Sequence, residues 1–369
     1  MSHVLIAPDK FKGSVTATEA ADSLAKGVAS RIGRGAIRCV PVADGGEGTL
    51  DVALASGYRR VPVTVCGPTG NDVRSAIAVR GDTAVVEMAA ASGLSLLPDQ
   101  LADPMRATST GTGQLVLAAL DNGCSNVVLG VGGSASTDGG SGMLAALGAR
   151  LLDVRGERIG PGGQGLRLLA TVDMSDLDPR LHRTRFVLAS DVDNPLLGCR
   201  GAAAVYAPQK GASPEQVQSL EAGLQRWAEL IDRRFADLPG AGAAGGVGFA
   251  ALAVLGARRR PGAEAVLELV GFPEHLEGAT LAVTGEGSLD RQTLSGKAPA
   301  GVAAAARAAG VPVVAVCGRC RLTARELLEA GFDEAYSLEQ IAPSPSHSMR
   351  HAKKLLALVG RRIADERLV

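Results

Sequence analysis

The chain has 369 residues, 38 Lys and Arg against 38 Asp and Glu, a formal charge of zero, 46% hydrophobic and 21% charged content. This balance suits a soluble globular protein long enough for two domains, and it excludes the basic footprint of a nucleic-acid binder and the polybasic anchor of a membrane-surface protein. Small molecules are the expected partners, with a homo-oligomer left open, and six thinly spread cysteines without a signal-peptide pattern point to the cytoplasm.

The first 60 residues alternate short apolar runs with helical spacing: a strand over 4–8, a helix over 16–31, a strand over 37–42 and a helix over 48–55. Residues 61–88 read instead as a β-meander, turning at Gly67 to Gly70 and at Gly81 and Asp82. A helix over 111–120 and an apolar strand over 127–131 follow, then hairpin-like sequence at 150–172, a strand at 185–190 and a polar helix over 214–234. Residues 238–257 carry no charge over a membrane-spanning length, but Pro239 and six glycines make them a glycine-rich loop feeding a buried helix. The last 90 residues return to the opening rhythm, with strands at 281–284, 313–316 and 334–337 and helices at 298–309, 323–330 and from about 347.

The economical architecture joins the two ends, 1–61 and 281–369, into one flavodoxin-like (Rossmann-like) parallel-sheet α/β domain. It is interrupted by an inserted mixed α/β domain over 62–280, with the active site expected in the cleft between them.

Several strand ends run into polar, glycine-rich loops. These are "APDKFKGS" (Asp9, Lys10, Lys12), "ADGGEGT" (Asp44, Glu47), "GVGGSASTDGGSGM" from residue 130, "ASDVDNPLLG" (Asp191, Asp193) and "TGEGSLDRQTLSGKAP" (Glu286, Asp290, Lys297). The stretch at 130–143 looks built to hold an anion, yet it lacks the lysine of a Walker-type loop, and Asp138 would repel a bare phosphate. A carboxylate after a strand is more often a cap than a catalyst, and a lone lysine more often solvated. Their recurrence shifts the balance, with Lys10, Lys12, Lys210 and Lys297 all beside glycine or serine. Carboxylates, ammonium groups, hydroxyls and glycine loops together are the equipment of phosphoryl transfer, in which cations neutralise the transferred group and an aspartate orients the accepting hydroxyl. Two other readings stay open. Gly130, Gly132 and Ala135 fit the G-x-G-x-x-A pattern of an NAD(P)-dependent oxidoreductase, with Asp153 about where a ribose-binding acid belongs. A non-catalytic anion-binding sensor would need the glycine loops but not so many acids. Cys317-x-x-Cys320 lacks a second ligand pair at zinc spacing, and His347 and His351, four apart, read as an exposed helix face.

The motifs "PDKFKGS", "DGGEGT", "VGGSASTDGG", "DVDNPLLG", "YAPQKGA", "TGEGSLDRQT" and "GKAP" follow one another from residue 8 to residue 299. In this collinear set the chain resembles the bacterial glycerate kinases of the first structural class, departing at Ser136 and Thr137, where that family often has threonine and asparagine. The resemblance implies ATP-dependent phosphorylation of D-glycerate, commonly at the 2-hydroxyl and alternatively at the 3-hydroxyl. It also implies a flavodoxin-like domain interrupted by an insert whose core is likened to restriction enzymes. On this basis Asp191 is expected as the general base, with Asp138 second. Mg²⁺ is expected on Asp138, Glu286 and Asp290. Lys10, Lys12, Lys210 and Lys297 are expected on phosphate and the glycerate carboxylate, and Gly132, Gly133 and Ser134 as loop contacts to ATP.

Overall fold

Apolar runs become strands largely where their spacing predicts. In chain order the described strands are β1 (His3–Pro8), β2 (Ile37–Cys39), β3 (Arg59–Cys66), β4 (Asp72–Arg80), β5 (Thr83–Glu87), β6 (Asn126–Gly130), β7 (Arg150–Leu152), β8 (Thr171–Asp173), β9 (Arg185–Ala189), β10 (Arg258–Arg260), β11 (Ala279–Leu289), β12 (Val313–Cys320) and β13 (Glu334–Ser337). The computed structural model describes residues 2–97 and 102–368. Two units divide the chain: Met1–Asp44, Asp51–Gly57 and Pro261–Val369 form the first, Gly45–Leu50 and Tyr58–Arg260 the second.

The first unit carries a five-stranded sheet in the order β13-β12-β11-β1-β2, with every pairing parallel. Counted within the unit this is the 2-1-3-4-5 order of flavodoxin-like sheets, the arrangement expected from the two ends of the chain. Val4, Ile6, Val283 and Val316 share one core with Leu24 and Val28 of the helix Ala17–Ile32 and with Leu356 and Ile363 of the helix Ala352–Arg367. The first of these helices starts at a capping box, Thr16 with Glu19, which satisfies two otherwise unpaired amides. Regular pairing in β2 ends at Cys39, although the Val40 and Val42 amides still donate to Ile6 O and Pro8 O. β11 is longer than expected, so Glu286 lies inside a strand, opposite Cys317. The closing helix breaks at His351 into Pro345–Arg350 and Ala352–Arg367.

In the second unit the six-stranded order is β10-β9-β6-β5-β4-β3. β3, β4 and β5 pair antiparallel, which is the expected meander, and β5, β6, β9 and β10 pair parallel. Pro62 is tolerated because β3 lies at the edge, where a missing amide breaks no central ladder. β7 and β8 form a separate antiparallel pair within the hairpin-like sequence. β10 is three arginines, without an apolar signal, and sequence spacing does not predict it. The uncharged stretch supplies the buried helix Val247–Ala253, and no described helix is long and apolar enough to cross a membrane. Trp227, Phe249, Ile77, Met88, Leu129 and Met143 are fully buried in this unit's core.

The packing of Ala17–Ile32 on Ala352–Arg367 depends on small residues. A Cβ at Gly27 would lie 2.0 Å from Ala357 O, and one at Gly360 would lie 2.3 Å from Leu24 O. Intrinsic helix propensity favours Ala over Gly by about 1 kcal/mol, whereas a methyl forced against backbone makes the helices part, at about 1–3 kcal/mol. Gly360→Ala is therefore expected to lower the thermal midpoint of unfolding by circular dichroism; an unchanged or higher midpoint would show that the close approach is not required.

Candidate active site

In the second unit Glu87 of β5, Gly130 of β6 and Ala189 of β9 stand in one row of the sheet, so the segments that follow them leave from the same edge. Asp191 follows β9 on that edge and is half-buried; the amide of its neighbour Ser190 donates to Arg260 O at 3.1 Å. From β6 the chain enters the glycine-rich loop, and Asp138 within it is fully buried. Its Oδ2 accepts from the Ser109 amide at 2.8 Å, the Ser109 hydroxyl at 2.8 Å and the Gly142 amide at 3.3 Å, and its Oδ1 accepts from the Gly140 amide at 3.1 Å. Ser109 precedes the helix Thr110–Asp121 and Gly140 precedes the helix Ser141–Ala146. The carboxylate thus lies where two helices begin, and their positive ends oppose its charge. The acid that would repel phosphate is itself the anion this loop holds.

Lys210 lies beneath the same loop, 3% exposed, its Nζ donating to Ser134 Oγ at 2.8 Å and to Ser136 O at 2.5 Å. Burial pulls its pKa from the ordinary 10.5 down to about 7, against the opposing pull of the Asp138 carboxylate. On another side the Trp227 indole donates to Gly139 O at 2.9 Å. The Ser136 and Thr137 hydroxyls are buried and have no hydrogen-bond partner among the described residues.

The glycines that suggested a dinucleotide fingerprint have a packing cause. A Cβ at Gly130 would lie 2.6 Å from Gly45 O, and one at Gly132 would lie 2.5 Å from Gly46 Cα. The loop "DGGEGT" is held against them by Glu87, whose Oε2 accepts from the Gly48 and Leu50 amides at 3.1 and 2.8 Å. Asp153 accepts from the Arg155 and Glu157 amides at 2.8 and 3.0 Å, so it organises a turn.

In the first unit Pro8 pairs with Gly285, so Asp9 and Glu286 follow at adjacent positions on β1 and β11, and the Asp9 amide donates to Gly285 O at 2.8 Å. Here the strand order reverses, the position at which open α/β sheets take ligands. Asp9 is 4% exposed. Burial pushes its pKa up to about 7, opposed by the Lys10 ammonium 4.0 Å away and assisted by the Asp44 and Glu286 carboxylates. Burial also raises the Glu286 pKa, opposed by the Thr293 hydroxyl, which donates to Oε1 at 2.5 Å, and by Lys297 Nζ, 3.6 Å from Oε2. Asp290 Oδ1 accepts from the Gln292 amide at 2.9 Å, and Lys297 stands at the N-cap of the helix Ala298–Ala308. Lys10 is half-buried and Lys12 exposed, in the turn closed by Phe11 and Val15.

The expected site residues therefore divide between the units, Lys10, Lys12, Glu286, Asp290 and Lys297 in one and Gly132, Gly133, Ser134, Asp138, Asp191 and Lys210 in the other. Asp9 is named among the strand-end acids but given no role, and Glu87 and Ser109 are not put forward by the sequence. An acid in the buried run "TAVVEM" and a serine ahead of a helix are visible signals, but their partners, 37 to 39 and 29 residues away, are not. Among the described residues no group of three or more His, Cys, Asp or Glu side chains is close enough to hold a metal ion by itself. Mg²⁺ needs less, because it is commonly bound through one or two carboxylates together with substrate phosphates. The carboxylates of Glu286 and Asp290 are donors of that kind.

A family model described as the glycerate kinase family matches residues 4–367. The chain is 44% identical to a glycerate kinase of Halalkalibacterium halodurans over 99% of this chain and 98% of the relative. It is 41% identical to the glycerate 2-kinase of Escherichia coli K12 over 98% of this chain and 97% of that one. A crystal structure described as a glycerate kinase 2 from Salmonella typhimurium LT2 superposes with a TM-score of 0.86 at 40% identity, covering 99% of this chain and 98% of the other.

The buried ammonium predicts a pH effect on stability. Between pH 7 and about 10 the unfolded chain keeps Lys210 protonated while the folded chain releases that proton, so the folded state gains stability as pH rises, by at most about 1.4 kcal/mol per pH unit. The stability difference between wild type and Lys210→Met should therefore grow in favour of wild type across this window and flatten below pH 7. Urea unfolding followed through Trp227, the sole tryptophan, measures it; a difference independent of pH contradicts the assignment.

Proposed function

The chain belongs to the glycerate kinase family, and from that premise we propose that it transfers the γ-phosphoryl group of ATP to the 2-hydroxyl of D-glycerate, giving 2-phosphoglycerate and ADP. Near-full-length similarity to a relative named glycerate 2-kinase supports the choice of hydroxyl. Acids and ammonium groups at the reversal point of the parallel sheet support the chemistry, since a triphosphate and a hydroxy acid both need cations at close quarters.

Asp191 takes the proton of the glycerate hydroxyl as its oxygen forms the bond to the γ-phosphorus, and ADP leaves with the electrons of the broken phosphoanhydride bond. Lys10, Lys12 and Lys297 face phosphate and the glycerate carboxylate. Glu286 and Asp290 would hold Mg²⁺, which when bound would neutralise phosphate charge. Gly132, Gly133 and Ser134 provide loop contacts. Asp138, with four donors on its two oxygens, fixes the loop rather than serving as base or metal ligand.

Incubation with ATP, MgCl₂ and D-glycerate, followed by phosphorus NMR, should show 2-phosphoglycerate. Formation of 3-phosphoglycerate would move the reaction to the other hydroxyl, and no phosphoester would end the proposal. Asp191→Asn should lower kcat by about 10²- to 10⁴-fold with little change in either KM, the loss expected for a general base. Near-normal turnover excludes Asp191.

A further inference from the structure

Lys210 has the charge to bind an anion but no exposure with which to reach one, at 3%. Its Nζ donates upward to Ser134 Oγ at 2.8 Å and to the backbone oxygen of Ser136. Ser134 is 6% exposed and directly follows the exposed Gly133 in the loop. Its backbone is fixed by its neighbours: the Leu94 amide donates to Gly133 O at 2.9 Å, and the Ala135 amide donates to Ser92 O at 2.8 Å. The Ser134 oxygen is an acceptor from Lys210, and among the described residues no acceptor takes its hydroxyl proton. A hydroxyl that accepts from an ammonium is polarised, so its own O–H becomes a stronger donor.

We propose that Ser134 donates its hydroxyl proton to an anionic oxygen of the substrates, and that Lys210 is a positioning residue acting through Ser134 rather than touching the substrates. This rests on the kinase reading above. The relay passes the polarising effect of the lysine Nζ–H, through the serine hydroxyl, to a carboxylate or phosphoryl oxygen while the lysine itself stays buried. It also explains why the lysine lies beneath the loop: its two hydrogen bonds orient the serine oxygen and hold the backbone two residues later. Loop amides and a hydroxyl held from below need no rearrangement when charge develops, the condition under which such donors contribute most to catalysis.

The test is a double-mutant cycle with wild type measured first. If wild type forms no phosphoglycerate, the kinase reading fails and not the relay alone. With an active wild type, Ser134→Ala is expected to lower kcat/KM by about 10²-fold, as for loss of an oxyanion donor, while Ser134→Thr keeps the hydroxyl and most of the activity. Lys210→Met should cost a similar factor, and the double variant should be no worse than about 3-fold below the poorer single one, because both changes remove one relay. A rise in KM for D-glycerate assigns the acceptor as the carboxylate, a rise in KM for ATP assigns it to the bound phosphates, and a fall in kcat alone assigns it to the transferring phosphoryl group. Multiplicative losses in the double variant overturn the relay, as does near-normal kcat/KM for Ser134→Ala. Should Lys210→Met fail to fold, as judged by Trp227 emission, the comparison of Ser134→Ala with Ser134→Thr still decides whether Ser134 is a donor.

Discussion

A carboxylate buried without compensation costs several kcal/mol, and the interior of the second unit is built around one. Asp138 is satisfied by Ser109, by the Gly140 and Gly142 amides, and by the nearby ammonium of Lys210. These partners come from separate parts of the chain, so the charge acts as a fastening point that the surrounding elements must all reach. The Ser109 hydroxyl donates to Asp138 and accepts from the Met143 amide at 2.9 Å, which joins the starts of two helices. The geometry of the loop is thereby set from the inside, and the exposed tip at Gly133 does not have to be ordered by a ligand.

Close backbone packing follows from that anchoring. The loop from β6 has the Gly45 and Gly46 backbone against Gly130 and Gly132, and the 243–246 segment against Ser136 and Thr137. There the Gly139 amide donates to Gly245 O at 2.9 Å. Loops stacked this closely pair their polar groups with one another instead of with water, which is how buried irregular backbone avoids an unsatisfied cost. Ala244, at φ 54°, is the described non-glycine residue with a positive φ, and it lies in this stack. The 48 glycines of the chain serve such approaches as well as turns.

Much of the architecture was legible because the signals are local. Apolar period and glycine turns give the flavodoxin-like ends and the meander, and the collinear motifs carry the resemblance to glycerate kinases. What escaped depends on partners distant in sequence. β10 is a run of arginines that becomes a strand by pairing with β9, and the extension of β11 past residue 284 follows its pairing with β12. Asp138 stands out in the sequence as an acid in a loop suited to an anion. Its hydrogen-bonding role, however, follows from Ser109, 29 positions earlier, which no spacing rule connects to it. Likewise Lys210 beside Gly211 reads as a contact to phosphate or the glycerate carboxylate, and only its burial reveals that its ammonium group donates to Ser134.

The two units treat charge in opposite ways. In the second, the carboxylate has its donors in place and an ammonium nearby. In the first, Asp9, Asp44, Glu286 and Asp290 bring four carboxyl groups into mutual influence with the two ammonium groups of Lys10 and Lys297. The upward shifts of Asp9 and Glu286 come first from burial, which outweighs the pull of Lys10 and Lys297, with the neighbouring carboxylates adding a smaller push toward the neutral acid. A set with surplus negative charge repels a triphosphate or a hydroxy acid unless protons or a cation arrive to offset it. The flavodoxin-like sheet keeps this imbalance at its reversal point, where its geometry already favours a ligand. A self-compensated loop can position a substrate but has little electrostatic reason to change when one binds. An undercompensated cluster gains most from charged ligands that arrive with a counter-ion, and on the reading proposed above this makes the end of β1 and β11 the part of the first unit most responsive to binding.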